Sequence, residues 1–395
     1  MAYEPRTSTT GAVTEWFSTR LGGIVVPLAA TLLAFLIGGL VVLITGSNPV
    51  SAYKAIFEGT GLNWFFPWVT GDARADAAND LQQTLIAMTP LILTALAVSF
   101  AFRCGLFNIG GQGQYWIGFI AAVIVGTHFS GLPRPLHILL AIVAGILGGA
   151  LWGGIAGALK AAVGAHEVIS TIMLNWIAIF GGTYLFEIGG RLQGPEEFLP
   201  RSDEVVDSAR LWPIWGSLPA LHSGLFIALF ALVVYHLLLN RTTLGFEVRA
   251  VGFNPEAARY SGISVARNYF LALAIAGAFA GLGGAVDLLG FKFAVSTSDF
   301  RTNLVAFTGI AVALLGRNKA VGILLASLLF AALQVGTSTR QLDPEVFDPE
   351  LATDLATMIQ ALVIFFVGAE LLIVYIWEAR RYLPGRSAKR QEAGT

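Results

Sequence analysis

Uncharged apolar runs alternate with short polar stretches along most of the chain, and the runs are longer than the core helices of a water-soluble fold. Ten of them, at about 21–45, 81–102, 105–129, 135–159, 168–188, 221–239, 269–290, 302–316, 320–337 and 356–377, are candidate membrane crossings. About 20 apolar residues in helical geometry cross a hydrocarbon core of roughly 30 Å. The eighth run is short. It predicts a tilted, broken or partly re-entrant helix, which a membrane interior accepts only where protein or a water-filled path satisfies the backbone. The first run follows a polar start and is too long for the apolar region of a signal peptide, so it is expected to stay in the mature protein. The pattern therefore predicts an all-α, polytopic membrane helical bundle of about ten transmembrane helices.

The polar stretches set an expected organisation: an N-terminal segment at 1–20, a transmembrane domain at 21–377 and a basic tail at 378–395. Placing both termini in the cytoplasm puts Arg241, Arg249, Arg259, Arg267 and the basic tail inside, as the positive-inside rule prefers. The tail is then expected to lie against anionic lipid. The stretches assigned outside are acidic. One, at 46–80, predicts an amphipathic helix from Asn48 to Phe57, with Trp64 and Trp68 as headgroup anchors. A second, at 189–220, carries Glu196, Glu197 and Asp203, and a third, Gly336 to Asp354, carries Asp343, Glu345, Asp348 and Glu350.

Composition narrows the function classes. With 55% hydrophobic and 12% charged residues the chain is no ordinary soluble domain, and a net charge of −1 gives no argument for a nucleic-acid partner, so none is expected. One cysteine, Cys104, excludes an intrachain disulfide framework. No Gly-Lys pair occurs, so a phosphate loop of the G-x-x-x-x-G-K-[ST] kind is excluded and the chain is expected to hydrolyse no ATP itself. The histidines lack ligand spacing, so no metal site is expected, and no bound cofactor is expected either.

Three features remain. The four-arginine island from Asn240 to Asn268 contains a two-turn helix with both ends specified. Asn254 suits the N-cap, Pro255 the first helical position and Gly262 a left-handed stop. Gly145, Gly149, Gly153 and Gly157 recur every four residues, so they share one face and let a neighbouring backbone approach; Gly277, Gly281 and Ala285 repeat this in the seventh span. Polar groups at membrane depth are costly and face a partner or an aqueous path. On that ground Asn108, Gln112, Gln114, Thr171 and Asn175 are candidates for a translocation path, with hydrogen bonding between helices as the alternative. Glu167, Thr171 and Asn175 share one helix face. Glu187, Asp287 and Glu370 raise the competing idea of a proton relay in an ion-coupled secondary transporter.

The runs from Phe102 to Gln114 (FRCGLFNIGGQGQ), Glu167 to Asn175 (EVISTIMLN), Ala257 to Ile263 (AARYSGI) and Gly309 to Arg317 (GIAVALLGR) stand in the order found in permeases of sugar- and nucleoside-type ABC importers. From Leu21 to Trp377 the chain resembles the larger permease of systems that use a basic-membrane-lipoprotein type of binding protein. The likeness implies a multi-pass permease subunit of a prokaryotic cell membrane. It also implies three partners: a second related permease, a cytoplasmic ABC ATPase that consumes the ATP, and an external lipid-anchored solute-binding protein. By the same likeness Asn254, Pro255, Glu256, Ala257, Ala258, Arg259 and Gly262, within the loop 240–268, form the coupling helix that meets the ATPase. Nucleosides are the first expected cargo and simple sugars the second.

Overall fold

A computed structural model of the chain describes residues 9–129, 131–216, 220–338 and 349–368. The first residues of the 1–20 segment, Glu370, the tail 378–395 and the acidic residues Asp343, Glu345 and Asp348 lie outside the described residues. The chain divides into two compact units, Met1–Pro49 with Asp354–Thr395, and Val50–Thr353.

In the first unit, α1 runs from Thr9 to Ile44. It therefore begins well before position 21, where the apolar run starts. Pro27 sits inside it, and Thr31 Oγ1 donates to the Pro27 carbonyl at 2.8 Å. Leu28, Leu32, Leu36 and Leu40 form an exposed stripe at every fourth residue, the surface a helix presents to lipid. The later part of the last described helix belongs to this unit as well.

The second unit begins with α2 (Pro49–Gly59) and α3 (Asp72–Arg103). There follow α4 (Gly111–His128), α5 (Arg134–Val163), α6 (Glu167–Phe186), a two-stranded antiparallel pair β1 (Pro213–Trp215) and β2 (Leu221–His222), and α7 (Gly224–Arg241). Then come α8 (Thr243–Phe253), α9 (Pro255–Tyr260), α10 (Val265–Asp287), α11 (Asp299–Thr302), α12 (Val305–Leu315) and α13 (Ala320–Gly336), with α14 at Pro349–Gly368. The chain is thus a polytopic helical bundle. Seven helices among the described residues are long and apolar enough to cross a membrane, fewer than the ten runs suggested. The other three positions are α4, which opens with Gln112 and Gln114, and the shorter α12 and α13.

α3 forms the hub of the unit. It packs on α10, α12, α13 and α7, and Leu91 to Ala101 are buried without interruption. α12 comes close because Gly309 has no side chain: a Cβ there would lie 2.6 Å from Thr94 Oγ1. The largest helix contact in the unit is between α5 and α10, and glycine on both sides makes it. Gly149 faces Gly277 and Gly281, Gly153 faces Leu273 and Gly277, and Gly157 faces Phe270, whose Cα would be 2.8 Å from an added Cβ. Gly145 faces Ala285, Gly281 and Gly118, so α4 enters the same seam. The two glycine faces read separately from the sequence are thus one backbone-to-backbone contact.

Trp64 does not serve as a free interfacial anchor. It lies beneath the Arg74 guanidinium, 5.3 Å away, and against Trp215 at 5.4 Å, whereas Trp68 is exposed and stacked on Phe66. Two histidines brace the surrounding loops: His137 meets Ser208 Oγ and the Val125 carbonyl, both at 2.9 Å. His222 packs against Gly224 and Gly290, and burial pushes its imidazole down to about 4. At neutral pH it is therefore uncharged and its Nδ1 accepts from Gly224 N–H at 3.2 Å.

Gly149→Leu or Gly153→Leu should cost on the order of 3 kcal/mol or more, because a side chain would replace a neighbouring backbone. The yield of monodisperse protein after detergent extraction should collapse. Gly181→Ala is the control, since a Cβ added at Gly181 in α6 would meet nothing within 4 Å. Its thermal midpoint should hold or rise, as Ala is the better helix former by about 1 kcal/mol.

Candidate functional site

The segment 104–110 between α3 and α4 is not helical, and this is why α4 starts at Gly111 rather than at 105. Gly105 takes φ +74, a left-handed conformation that glycine adopts without strain. Side-chain amides meet the backbone groups that this irregular stretch exposes. Asn108 and Gln114 bond each other twice, at 2.9 and 3.1 Å, and Asn108 Oδ1 also accepts from Gly110 N–H at 3.1 Å. Asn175 on α6 accepts from Gly113 N–H at 2.7 Å and donates to the Ile109 carbonyl at 2.9 Å. Thr171, one turn earlier, packs on Gly110 and bonds the Val168 carbonyl within its own helix. Glu167, at the start of the same face, pairs with Lys160 at 2.8 Å.

Gln112 reaches the other way. Its Nε2 donates to the Asn303 carbonyl at 2.6 Å and its Oε1 accepts from Ala306 N–H at 3.2 Å. Asn303 and Leu304 separate α11 from α12, so the eighth apolar run is a broken helix and Gln112 satisfies both sides of the break. The five polar residues singled out in the sequence are thus brought together in one zone, fully occupied by protein partners. None of them lines the cavity beside it.

That cavity, of about 410 Å³, lies between α3, the end of α10, the α11–α12 break and α13. Its polar lining includes Gln83, Asp287, Lys292, Asn303, Thr308 and Gln334, with Phe291 and Pro90 among the apolar groups. Irregular backbone again shapes it. α10 ends in a π-turn over Leu288–Lys292, and Phe293 follows at φ 56, a strained value for a residue with a side chain. The loop 200–211 holds this turn: Val205 N–H donates to the Phe293 carbonyl and Leu211 N–H to the Leu289 carbonyl, both at 2.8 Å. The Arg210 guanidinium covers the Phe293 ring at 4.7 Å. Asp287 is nearly buried and accepts from the Tyr115 hydroxyl. Lys292 pairs with Asp299 at 3.6 Å and lies 5.7 Å from the Trp116 ring. Glu187 is exposed at the end of α6, and no relay joins it to Asp287 among the described residues.

At the opposite end of α10 stands the knob built by α8 and α9. Asn254 Oδ1 accepts from Glu256 and Ala257 N–H at 3.0 and 3.1 Å, and Pro255 occupies the first helical position. Ile263 N–H returns to the Ala258 carbonyl at 3.0 Å while Gly262 takes φ +82, closing the C-terminus. Ala258 is the buried residue of α9, whereas Tyr260 and Phe253 are 93% and 88% exposed. Pro255, Glu256, Ala257, Arg259 and Gly262 thus sit on one small, doubly capped element. Sequence reading missed α8, although Thr242 caps it by accepting from Gly245 N–H at 3.1 Å. It also passed over Gln83, Asn303 and Lys292 in the cavity. The signal for those was an isolated amide or cation in an apolar run.

Residues 81–368 match the family described as branched-chain amino acid transport system / permease component. The chain is 37% identical over 367 residues to the guanosine ABC transporter permease protein NupP of Bacillus subtilis, covering 90% of this chain and 96% of that one. It is likewise 37% identical to the nucleoside ABC transporter permease protein NupB of Lactococcus lactis, over 89% of this chain and 92% of the relative. The glucose ABC transporter permease protein TsgB13 of Haloferax volcanii is 35% identical over 86% of each chain. No solved structure matches.

Gln112→Leu should leave the Asn303 carbonyl and the Ala306 N–H without a partner, at about 1–3 kcal/mol for each buried group. The thermal midpoint in detergent should fall, and amide exchange at 303–306 should quicken. Unchanged exchange there would show that Gln112 does not hold the break.

Proposed function

This chain belongs to the family of branched-chain amino acid transport system permease components, and we propose that it is the permease subunit of an ABC importer whose cargo is a nucleoside. As a multi-pass membrane permease it forms part of a solute pathway and works with ABC-transporter partners. The observation that carries the nucleoside reading is the extent of the likeness to the guanosine and nucleoside permeases, which runs over about nine-tenths of this chain. The likeness to a glucose permease supports simple sugars as the second reading.

In the proposed assembly a second related permease completes the pathway, a cytoplasmic ATPase consumes ATP, and a lipid-anchored binding protein delivers cargo from outside a prokaryotic cell membrane. No ATP chemistry falls to this chain, which lacks a phosphate loop. The α9 helix, with Asn254, Pro255, Glu256, Ala257, Ala258, Arg259 and Gly262, meets the ATPase. Two features support that role. A six-residue helix is marginal alone, yet this one is capped at both ends and so keeps its shape when pushed. The exposed Phe253 and Tyr260 offer apolar anchors beside it, of the aromatic kind that carries interface energy. Asn108, Gln112, Gln114, Thr171 and Asn175 take the role of a scaffold bordering the path rather than of solute ligands, since their polar groups already have protein partners.

Gly262→Pro forces φ to about −65° where the chain has +82 and removes the N–H that Arg259 accepts. Ala258→Asp puts a carboxylate in the buried position of α9. Both variants should insert normally, while ATP hydrolysis by the reconstituted complex continues with nucleoside uptake reduced at least tenfold. Full uptake by both would remove α9 from the coupling role, and uptake by the unmodified complex without ATP would remove the ABC mechanism.

A further inference from the structure

We propose that the cavity beside the α11–α12 break holds the cargo during passage, with Asp287 as the residue that determines specificity and Tyr115 as its positioning residue, and that it admits an uncharged nucleoside while refusing the phosphorylated form. The inference rests on the nucleoside reading above and assigns it to particular side chains.

The volume suits a solute of this size. About 410 Å³ lies within the range of pockets that enclose small organic ligands, roughly 300–1,000 Å³. The lining also has the mixed character such a solute needs. Phe291, 39% exposed, offers a flat apolar face for a heterocycle. Gln83 and Gln334 line the same space without a hydrogen-bond partner among the described residues, and each amide both donates and accepts, which matches a base edge.

Charge then narrows the class. Lys292 is the cation of the lining; it pairs with Asp299, lies beside the Trp116 ring and acts on Asp287 as well, so one positive charge stands against two carboxyls. Asp287 is different: one carboxylate oxygen takes the Tyr115 hydroxyl, and the other has no protein donor among the described residues. A carboxylate only accepts, so the cargo must supply donors, as ribose hydroxyls do. The Tyr115 bond fixes the carboxylate against rotation before the cargo arrives. A phosphate would meet that carboxylate and would find no unengaged cation, so like-charge repulsion disfavours it.

The native chain has one cysteine, Cys104, which is buried. Thr308→Cys therefore places a single reactive thiol on the cavity wall. In the complete transporter, guanosine should slow thiosulfonate labelling of this thiol, while guanosine monophosphate at tenfold higher concentration should not. Adding Asp287→Asn or Tyr115→Phe should raise the half-protecting guanosine concentration about tenfold or more and leave the labelling rate without cargo unchanged. A purely structural role would change that cargo-free rate instead. If the unmodified complex takes up guanosine but guanosine gives no protection, or if both variants protect like the parent, the cavity assignment is overturned and the nucleoside reading stands. Equal protection by the monophosphate overturns the charge argument. If the unmodified complex takes up no nucleoside at all, the functional reading falls and this inference falls with it.

Discussion

A hydrocarbon interior supplies no hydrogen-bond partner, so each place where this chain leaves helical geometry must be answered by another part of the protein. Among the described residues of the second unit, three such places adjoin one another or the cavity: the stretch 104–110, the turn after Asp287 and the break at Asn303. The first is answered by amides from Asn108, Gln114 and Asn175, the second by main chain of the loop 200–211, and the third by Gln112. Each bond is modest taken singly, about 0.6–2 kcal/mol in a membrane. Leaving the same groups without partners is what the lipid forbids. The permease cavity lies where two of these departures adjoin, because only a non-helical backbone brings Phe291, Lys292 and Asn303 to one wall.

The glycine seam between α5 and α10 answers a different need. Helices in lipid gain little from apolar burial against each other, and close approach of backbones supplies the attraction instead. Gly149 and Gly153 on one side, and Gly277 and Gly281 on the other, allow it. The seam leaves α10 firmly held along its length while its two ends do different things. Irregularity is confined to the C-terminal end, and the rod before it is regular.

Much of this was legible in the sequence because it depends on local spacing. The every-fourth glycine pattern on α5, the Asn254 cap, Pro255 at the first helical position and the Gly262 stop each follow from what a single residue type can do in a helix. The short eighth run announced a break for the same reason. What the amides do was not legible in full. Asn108, Gln112 and Asn175 were marked as costly at membrane depth, but whether a partner was solute or protein depends on residues up to 194 positions away, as for Gln112 and Ala306. The cavity itself was hidden, since its wall draws on four separate segments and no periodicity connects Gln83 with Asp287 or Gln334. α1 starts at Thr9 and α3 at Asp72, ahead of the apolar runs at 21 and 81, because polar residues extend a helix beyond the run that identifies it.

The placing of α10 bears on how a push at one end is felt at the other. It is a continuous helix of 23 residues, about 34 Å long at 1.5 Å per residue, with no proline to bend it. Its N-terminal end follows α9, and its C-terminal end carries Asp287 and the π-turn that shapes the cavity. A soft connection would dissipate a displacement of α9 within a turn or two, whereas a rod clamped by backbone contacts moves as one body. The proposed coupling therefore needs no chain of side-chain relays. It needs only that the ATPase grip α9 differently in its two states, since a partner that binds both equally shifts nothing. In the proposed mechanism a tilt of α10 would move Asp287 relative to Gln83 on α3, because the two residues stand on different helices across the same cavity.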